Sequence, residues 1–336
     1  MEQSNQPLLA VRGLRTHFFT DDGIVRAVDG ISFDVVAGKT VAIVGESGCG
    51  KSVAVRSILG IVDPPGRVVE GQILLRRRLN GQNEVTDLAT LGPNSKAIRE
   101  IRGKEISLIF QEPMASFSPV HTVGDQIIEA IRVHRKMGRQ QAREQGIQIL
   151  RKTGVPQAEL RIDDYPHQLS GGILQRCMIA MALSCEPHVL IADEPTTALD
   201  VTTQAQILSL LKELQQQTAM SIIFITHDLG VVAEMADIVV VMYLGQVMEI
   251  GPADQVYHDP KHPYTRALLR SIPSIRGHTG KRLESIAGSI PHPLQRPSGC
   301  PFHDRCKDFI TGSCDRIDPK PVQVQCDHEV SCFLYK

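Results

Sequence analysis

The chain has 336 residues, which suits one large domain with an appendage or two domains. Apolar residues make up 42%, enough for a real core, and 36 basic against 37 acidic side chains leave a formal charge of −1, which argues against a nucleic-acid footprint. No run of about 18 apolar residues occurs, and Met1–Pro7 lacks the basic-then-apolar pattern of a signal sequence; a soluble, intracellular chain is expected, its membrane link made through partners.

In chain order, Leu8–Phe19 mixes apolar and polar residues as an edge strand does, and Val25–Val36 alternates with Ile31, Phe33 and Val35 on one face. Ala37-Gly38-Lys39 is a turn into the stretch Thr40–Ser52. There a short apolar strand, Val41–Val44, leads into a glycine loop and the start of a helix. Gly45, Gly50, Lys51 and Ser52 fit G-x-x-x-x-G-K-[ST], the phosphate-binding loop. Glycines let the backbone curl so that successive N–H groups and the helix N-terminus point at one anion. The expected phosphate-contacting run is Gly45, Glu46, Ser47, Gly48, Cys49, Gly50, Lys51, Ser52 and Val53; Lys51 reaches the β- and γ-phosphates and the Ser52 hydroxyl ligates Mg²⁺. The bland reading, a chance glycine turn before a helix, is disfavoured by the strand ahead of it. Phe18, upstream, suits either stacking on a purine ring or a place in the core.

Ser52–Val62 reads as a helix ended by Asp63-Pro64-Pro65-Gly66, Val68–Leu75 as a strand, and Arg76–Ser95 as a polar surface insertion. Ile106–Phe110 is a short buried strand ending at Gln111-Glu112-Pro113. Val123–Val133 and Gln140–Thr153 carry apolar residues at helical spacing, which predicts an inserted helical subdomain over about 113–186. Ser170-Gly171-Gly172 opens another helix, with Ser170 at the N-cap position. His188–Ala192 is an apolar strand capped by Asp193-Glu194-Pro195; Thr203–Gln217 is an amphipathic helix; Ser221–Thr226 is a strand ending at His227-Asp228. Leu229–Ala236 is helical, and Ile238–Tyr243 with Gln246–Ile250 forms a hairpin around Leu244-Gly245.

Beyond Gly251 the composition changes. Ten prolines fall between positions 252 and 321, Pro263–Leu269 suggests a helix, and the rest reads as irregular chain. Cys300, Cys306, Cys314, Cys326 and Cys332 crowd the last 37 residues, whereas Cys49, Cys177 and Cys185 are scattered. In a reducing compartment such a cluster more often binds metal than forms disulfides.

Four groups fall at predicted strand ends, where an open parallel sheet binds its ligands. Asp193 can hold Mg²⁺ through water, Glu194 can deprotonate the attacking water, and Gln111 and His227 can reach the γ-phosphate. Taken singly, Gln111 also reads as a strand cap and His227 as a satisfied polar residue. The run Leu169-Ser170-Gly171-Gly172-Ile173-Leu174-Gln175-Arg176 resembles the LSGGQ signature of ABC ATPases, with Ile173 where the signature usually has Gln. Phe110-Gln111-Glu112-Pro113 resembles that family's Q-loop, Ala198-Leu199-Asp200 its D-loop and His227 its switch residue; the likeness covers about residues 8–255. It implies an α/β P-loop NTPase (RecA-like) core with an antiparallel β subdomain and an inserted helical subdomain. It also implies adenine stacking on Phe18 and Mg²⁺ held through Ser52, Gln111 and Asp193. Two such domains would enclose two ATP molecules head to tail, with the signature residues Ser170, Gly171 and Gly172 serving the partner's nucleotide and Asp200 of the D-loop also counted among the nucleotide-binding residues.

The tail resembles that of oligopeptide and dipeptide importer ATPases through His262-Pro263-Tyr264-Thr265-Arg266-Ala267-Leu268-Leu269, Ser271-Ile272-Pro273, Gly299-Cys300-Pro301-Phe302, Arg305-Cys306, Cys314 and His328-Glu329-Val330-Ser331-Cys332. Some members of that group carry a [4Fe–4S] cluster on four tail cysteines. The spacing C-x₅-C-x₇-C-x₁₁-C-x₅-C has no C-x₂-C pair, which weighs against structural zinc and suits four-thiolate iron–sulfur ligation; zinc and free thiols stand as alternatives. Cys300, Cys306, Cys314 and Cys332 are favoured because Cys332 occupies the family's terminal position, with Cys326 as the spare. The expectation is an ABC ATPase domain over 1–255 and a small, irregular, cysteine-rich C-terminal extension over 256–336. The resemblance implies ATP hydrolysis driving import of di- or oligopeptides, on the cytoplasmic face of the membrane. The expected partners are a second homologous ATPase in a heterodimer, two permease subunits and an extracytoplasmic solute-binding protein, with no nucleic acid. Oligosaccharide or nickel as solute, or a redox-sensing regulatory protein, are the rival readings.

Overall fold

A computed structural model of the chain describes residues 6–79, 82–197, 199–271 and 286–336. Among them run twelve strands: β1 (Leu9–Thr20), β2 (Gly23–Val35), β3 (Thr40–Val44), β4 (Gly66–Leu79), β5 (Gln82–Asp87), β6 (Ile106–Ile109), β7 (Val189–Asp193), β8 (Ser221–Thr226), β9 (Ile238–Tyr243), β10 (Gln246–Pro252), β11 (Val322–Gln325) and β12 (His328–Val330). The chain divides into two compact units, one of Met1–Val36, Thr40–Leu91 and Thr226–Lys336, the other of Ala37–Lys39 and Gly92–Ile225. The tail thus packs in the unit that holds the glycine loop, and the division by compactness falls elsewhere than at 255/256.

In the first unit β1 pairs antiparallel with both β2 and β4, and β4 continues to β5. The stretch expected at an edge is therefore internal, as the burial of Leu9, Ala10, Val11, Leu14 and Thr16 requires. The alternation on β2 is as expected, with Ile31, Phe33 and Val35 buried. Where a surface insertion is expected after Arg76, β4 runs on and the chain returns as β5. An edge strand exposed on both faces over Gln82–Val85 has no apolar alternation to betray it.

β3, wholly buried, pairs parallel with β9, and β9 turns into β10 through Leu244 and Gly245, both at positive φ. β12 pairs with β10, and β11 with β12, so chain expected to be irregular adds two strands beside β10. Tyr243, Tyr264 and Phe302 meet in the core beneath, with ring centroids 4.8 Å apart for Tyr243–Tyr264, 5.4 Å for Tyr243–Phe302 and 5.1 Å for Tyr264–Phe302. Such tilted and edge contacts suit the ring quadrupoles. The helix after the glycine loop, Lys51–Ile58, is shorter than expected. Gly60 at φ +62° donates to Ser57 O and Ile61 donates to Arg56 O, a Schellman stop ahead of the prolines.

In the second unit β6, β7 and β8 are consecutive parallel partners, β7 and β8 buried throughout. Helices Val123–His134, Arg139–Lys152 and Gly171–Leu183 form the inserted helical part, with Gly124 N–H donating to Ile162 O at 2.7 Å and no room for a Cβ at 124, which would lie 2.4 Å from that oxygen. Among the described residues no helix is long and apolar enough to cross a membrane.

Candidate functional site

In the first unit two of the loop glycines, Gly45 and Gly50, are sterically obligatory. At Gly45 (φ +151°) a Cβ would lie 2.2 Å from Met242 O, and at Gly50 (φ +100°) 2.1 Å from Ala27 O. Gly50 is the N-cap of Lys51–Ile58, so Lys51 and Ser52 open the helix that follows the loop. Lys51 is buried, and its Nζ donates to Gly45 O at 2.8 Å and Glu46 O at 3.2 Å, which curls the loop around the ammonium. Cys49 is buried, and burial pushes its thiol up, so it is a packing residue rather than a reactive one. Phe18 is half-buried on β1, its ring edge against Gly66, where a Cβ would come within 2.6 Å. Beside it Phe19 lies under the Arg67 guanidinium at 4.3 Å. His227 is exposed at the end of β8, and Asp228 caps helix Leu229–Met235 by accepting from Gly230 N–H at 2.8 Å.

Glu46 is placed in a way the sequence does not suggest. Its N–H donates to the Tyr264 hydroxyl at 2.9 Å, and its carboxylate receives the Arg305 guanidinium at 2.8 and 3.1 Å. Nothing local marks a pair 259 positions apart.

In the second unit Gln111 and Glu194 come together, Gln111 Nε2 donating to Glu194 Oε2 at 3.1 Å. Thr197 Oγ1 donates to the same oxygen at 2.9 Å, and Glu194 N–H donates to Ile225 O at 3.0 Å. Glu194 has φ +47°, a left-handed conformation unusual for a residue with a side chain and held here by these bonds. Asp193 beside it is buried at the end of β7. Buried Gln175, on the helix that Ser170 opens, donates to Pro195 O and ties that helix to the acidic turn, a link sequence reasoning missed. Ser170 sits at the N-cap with extended backbone, exposed, and its side chain makes no capping bond; Gly171 is exposed and Gly172 half-buried. Asp200 caps helix Val201–Thr218 through Thr203 N–H at 3.0 Å and Thr203 Oγ1 at 2.7 Å, and these bonds hold its carboxyl below the usual range. Ala198 of the expected D-loop, and Ile272 and Pro273 of the tail, lie outside the described residues.

Cys300, Cys306, Cys314 and Cys332 line one small cavity with His262 and His303, whereas Cys326 is exposed elsewhere, its thiol beside Asp327. Burial, reinforced by the neighbouring thiols, pushes Cys300 up to about 12. Burial does the same to Cys306, to about 11, and raises Cys332. His262 is buried; its Nδ1 accepts from Tyr264 N–H at 3.0 Å, while Nε2 has no hydrogen-bond partner. Among the described residues no three His, Cys, Asp or Glu side chains converge on a single-ion site. The donor set around the cavity is thiol-rich, which suits a soft, thiophilic metal group.

A glycine loop fed by a buried parallel strand, with an acidic pair closing another, is the construction of a P-loop nucleotide hydrolase. The chain belongs to the ABC transporter family, whose profile matches residues 28–197, and residues 248–314 match the profile described as oligopeptide/dipeptide transporter, C-terminal region. It is 48% identical to the dipeptide transport ATP-binding protein DppD of Bacillus subtilis, over 98% of this chain and 95% of the relative. It is 47% identical to the oligopeptide transport ATP-binding protein AppD of the same organism, over 98% and 97%. The solved structure of cbiO1 from Clostridium perfringens, part of the ABC transporter complex cbiONQ, superposes with a TM-score of 0.61 and 29% identity, covering 76% of this chain and 92% of that one.

Proposed function

We propose that this chain is the ATP-hydrolysing subunit of an ABC importer of dipeptides or oligopeptides. The observation that carries the catalytic part is the hydrogen-bonded Gln111–Glu194 pair beside buried Asp193. Lys51 neutralises the β- and γ-phosphates, and Ser52, Asp193 and Gln111 serve Mg²⁺, the last two through its ligand shell. Glu194 takes the proton of the attacking water, its orientation fixed by Gln111, Thr197 and its own strained backbone, and His227 reaches the γ-phosphate. Phe18 stacks on the adenine. Ser170, Gly171 and Gly172, with an unengaged hydroxyl and a free helix N-terminus, serve the nucleotide of a second homologous ATPase, most simply as a heterodimer. Two permease subunits and an extracytoplasmic binding protein complete the assembly on the cytoplasmic face of the membrane; exposed Phe110, Met114 and Val120 suit permease contact. The peptide assignment rests on the likeness to DppD and AppD, which extends through the tail.

The same reading assigns a [4Fe–4S] cluster to Cys300, Cys306, Cys314 and Cys332, supported by their lining one small cavity; when bound it would cross-link a proline-rich segment and hold the four sulfurs as thiolates. Protein purified without air would then hold about four irons and four sulfides per chain. One zinc, or no metal, would reject the cluster and leave the ATPase untouched.

Glu194→Gln tests the catalytic reading. In the assembled transporter it should keep ATP binding and lose turnover by about 100-fold or more; native turnover would refute the assignment of the base. Cells lacking this chain should fail to take up dipeptides. Unchanged peptide uptake with loss of another solute would refute the substrate class.

A further inference from the structure

The tail of this chain reaches the nucleotide loop directly. Arg305 lies between two cavity cysteines, in Cys300-Pro301-Phe302-His303-Asp304-Arg305-Cys306, at the end of a single 3-10 turn, His303–Arg305. That turn aims the arginine into the protein, where its side chain is 5% exposed. Four of the five guanidinium N–H groups have partners: Nε donates to Ala287 O at 2.9 Å, Nη1 to Tyr243 Oη at 3.2 Å and to Glu46 Oε2 at 2.8 Å, and Nη2 to Glu46 Oε1 at 3.1 Å. A two-pronged pair of this kind fixes the carboxylate in position and in rotation, which a lysine cannot do. Tyr264, fully buried, accepts the Glu46 N–H. Glu46 is thereby gripped by both backbone and side chain.

Its place in the loop gives this grip a chemical consequence. Glu46 follows Gly45, and its carbonyl accepts both Lys51 Nζ at 3.2 Å and Cys49 N–H at 3.2 Å. The residue held by the tail is therefore one that shapes the loop and positions its lysine.

We propose that Arg305 and Tyr264 are positioning residues for nucleotide binding, holding the phosphate loop through Glu46 in the form that receives the triphosphate. Part of the loop's ordering is then complete before ATP arrives, and binding loses less conformational entropy. The proposal rests on the phosphate-loop reading of Gly45–Ser52.

The test titrates the full chain with a fluorescent ATP analogue and Mg²⁺, beside unfolding midpoints in the absence of nucleotide. Lys51→Ala, which removes the phosphate cation, reports on the site itself. Arg305→Lys keeps the charge and loses the fork; Tyr264→Phe removes one hydroxyl; Glu46→Gln removes the carboxylate charge. Each should weaken binding by about tenfold or somewhat less, and Arg305→Lys with Glu46→Gln should cost less than the two effects multiplied. In the assembled ATPase, Arg305→Lys should raise KM for ATP with kcat within about twofold. Native affinity in both Arg305→Lys and Tyr264→Phe would overturn the proposal, as would weaker binding that only follows the fraction of unfolded chain. Loss of nothing in Lys51→Ala would overturn the phosphate-loop reading, and the proposal with it.

Discussion

Glu249 on β10 has no solvent exposure, and three donors converge on its carboxylate: Lys261 N–H at 2.7 Å, His262 N–H at 2.9 Å and His328 Nε2 at 2.8 Å. His328, equally buried on β12, turns its Nδ1 to Gln255 Oε1 at 3.1 Å. One carboxylate thus links β10, the start of helix Pro263–Arg270 and the last strand, β12. Glu249→Ala leaves all three donors without an acceptor. Each stranded buried donor costs about 1–3 kcal/mol, and three are stranded here, so we expect a loss of about 4 kcal/mol. Glu249→Gln keeps one acceptor oxygen but sets an NH₂ group against donors, and should lose about half as much. Urea unfolding followed by circular dichroism reads both. A loss below about 1 kcal/mol in the alanine variant would refute the reasoning. pH supplies an independent check. Burial alone would raise the Glu249 carboxyl, but the His328 hydrogen bond, the nearby Thr265 hydroxyl and the two backbone amides outweigh it and hold it below its ordinary value. The stabilisation is then present above the ordinary carboxyl range and lost as pH falls through the depressed folded value, so wild type and Glu249→Gln should converge in acid.

Gly299→Ala places a Cβ 2.4 Å from Cys314 O at φ +72°, and should destabilise the tail by about 1–3 kcal/mol, read as a lower unfolding midpoint. Phe302→Ala removes a ring packed against Tyr243 and Tyr264 and should cost about 3–5 kcal/mol in the same assay. His262 is held neutral by burial, its pKa lowered from 6.5 to about 4. The unfolded chain binds the extra proton between those values, so stability should rise with pH through that window by up to about 3 kcal/mol and level off above it; His262→Gln should remove the rise.

Local chemistry made much of this molecule readable. β3, β7 and β8 are short apolar runs buried on both faces, and such runs announce themselves. Gly45 and Gly50 stand where no side chain fits, so the loop they frame is visible in the spelling. Leu244-Gly245 marks its hairpin for the same reason. Other features lack a local mark. β1 looks like an edge because its polar positions alternate with apolar ones, yet it lies between two partners. β5 is polar because it truly is an edge. β11 and β12 are only 4 and 3 residues long, and what makes them strands is pairing with a neighbour, β12 with β10 and β11 with β12. The grip of Arg305 on Glu46 depends on tertiary closure over 259 positions, and the conformation of Glu194 shows only in its dihedral angle.

Because β12 and β11 lie beside β10, the chain beyond residue 255 is not a removable label. A protein cut there would present the backbone of β10 to solvent as an unpaired template, with the Tyr243 ring stripped of Phe302 and Tyr264. Open strand edges recruit other strands. Such a fragment would tend toward aggregates, and studies of the ATPase by itself call for the intact C-terminus.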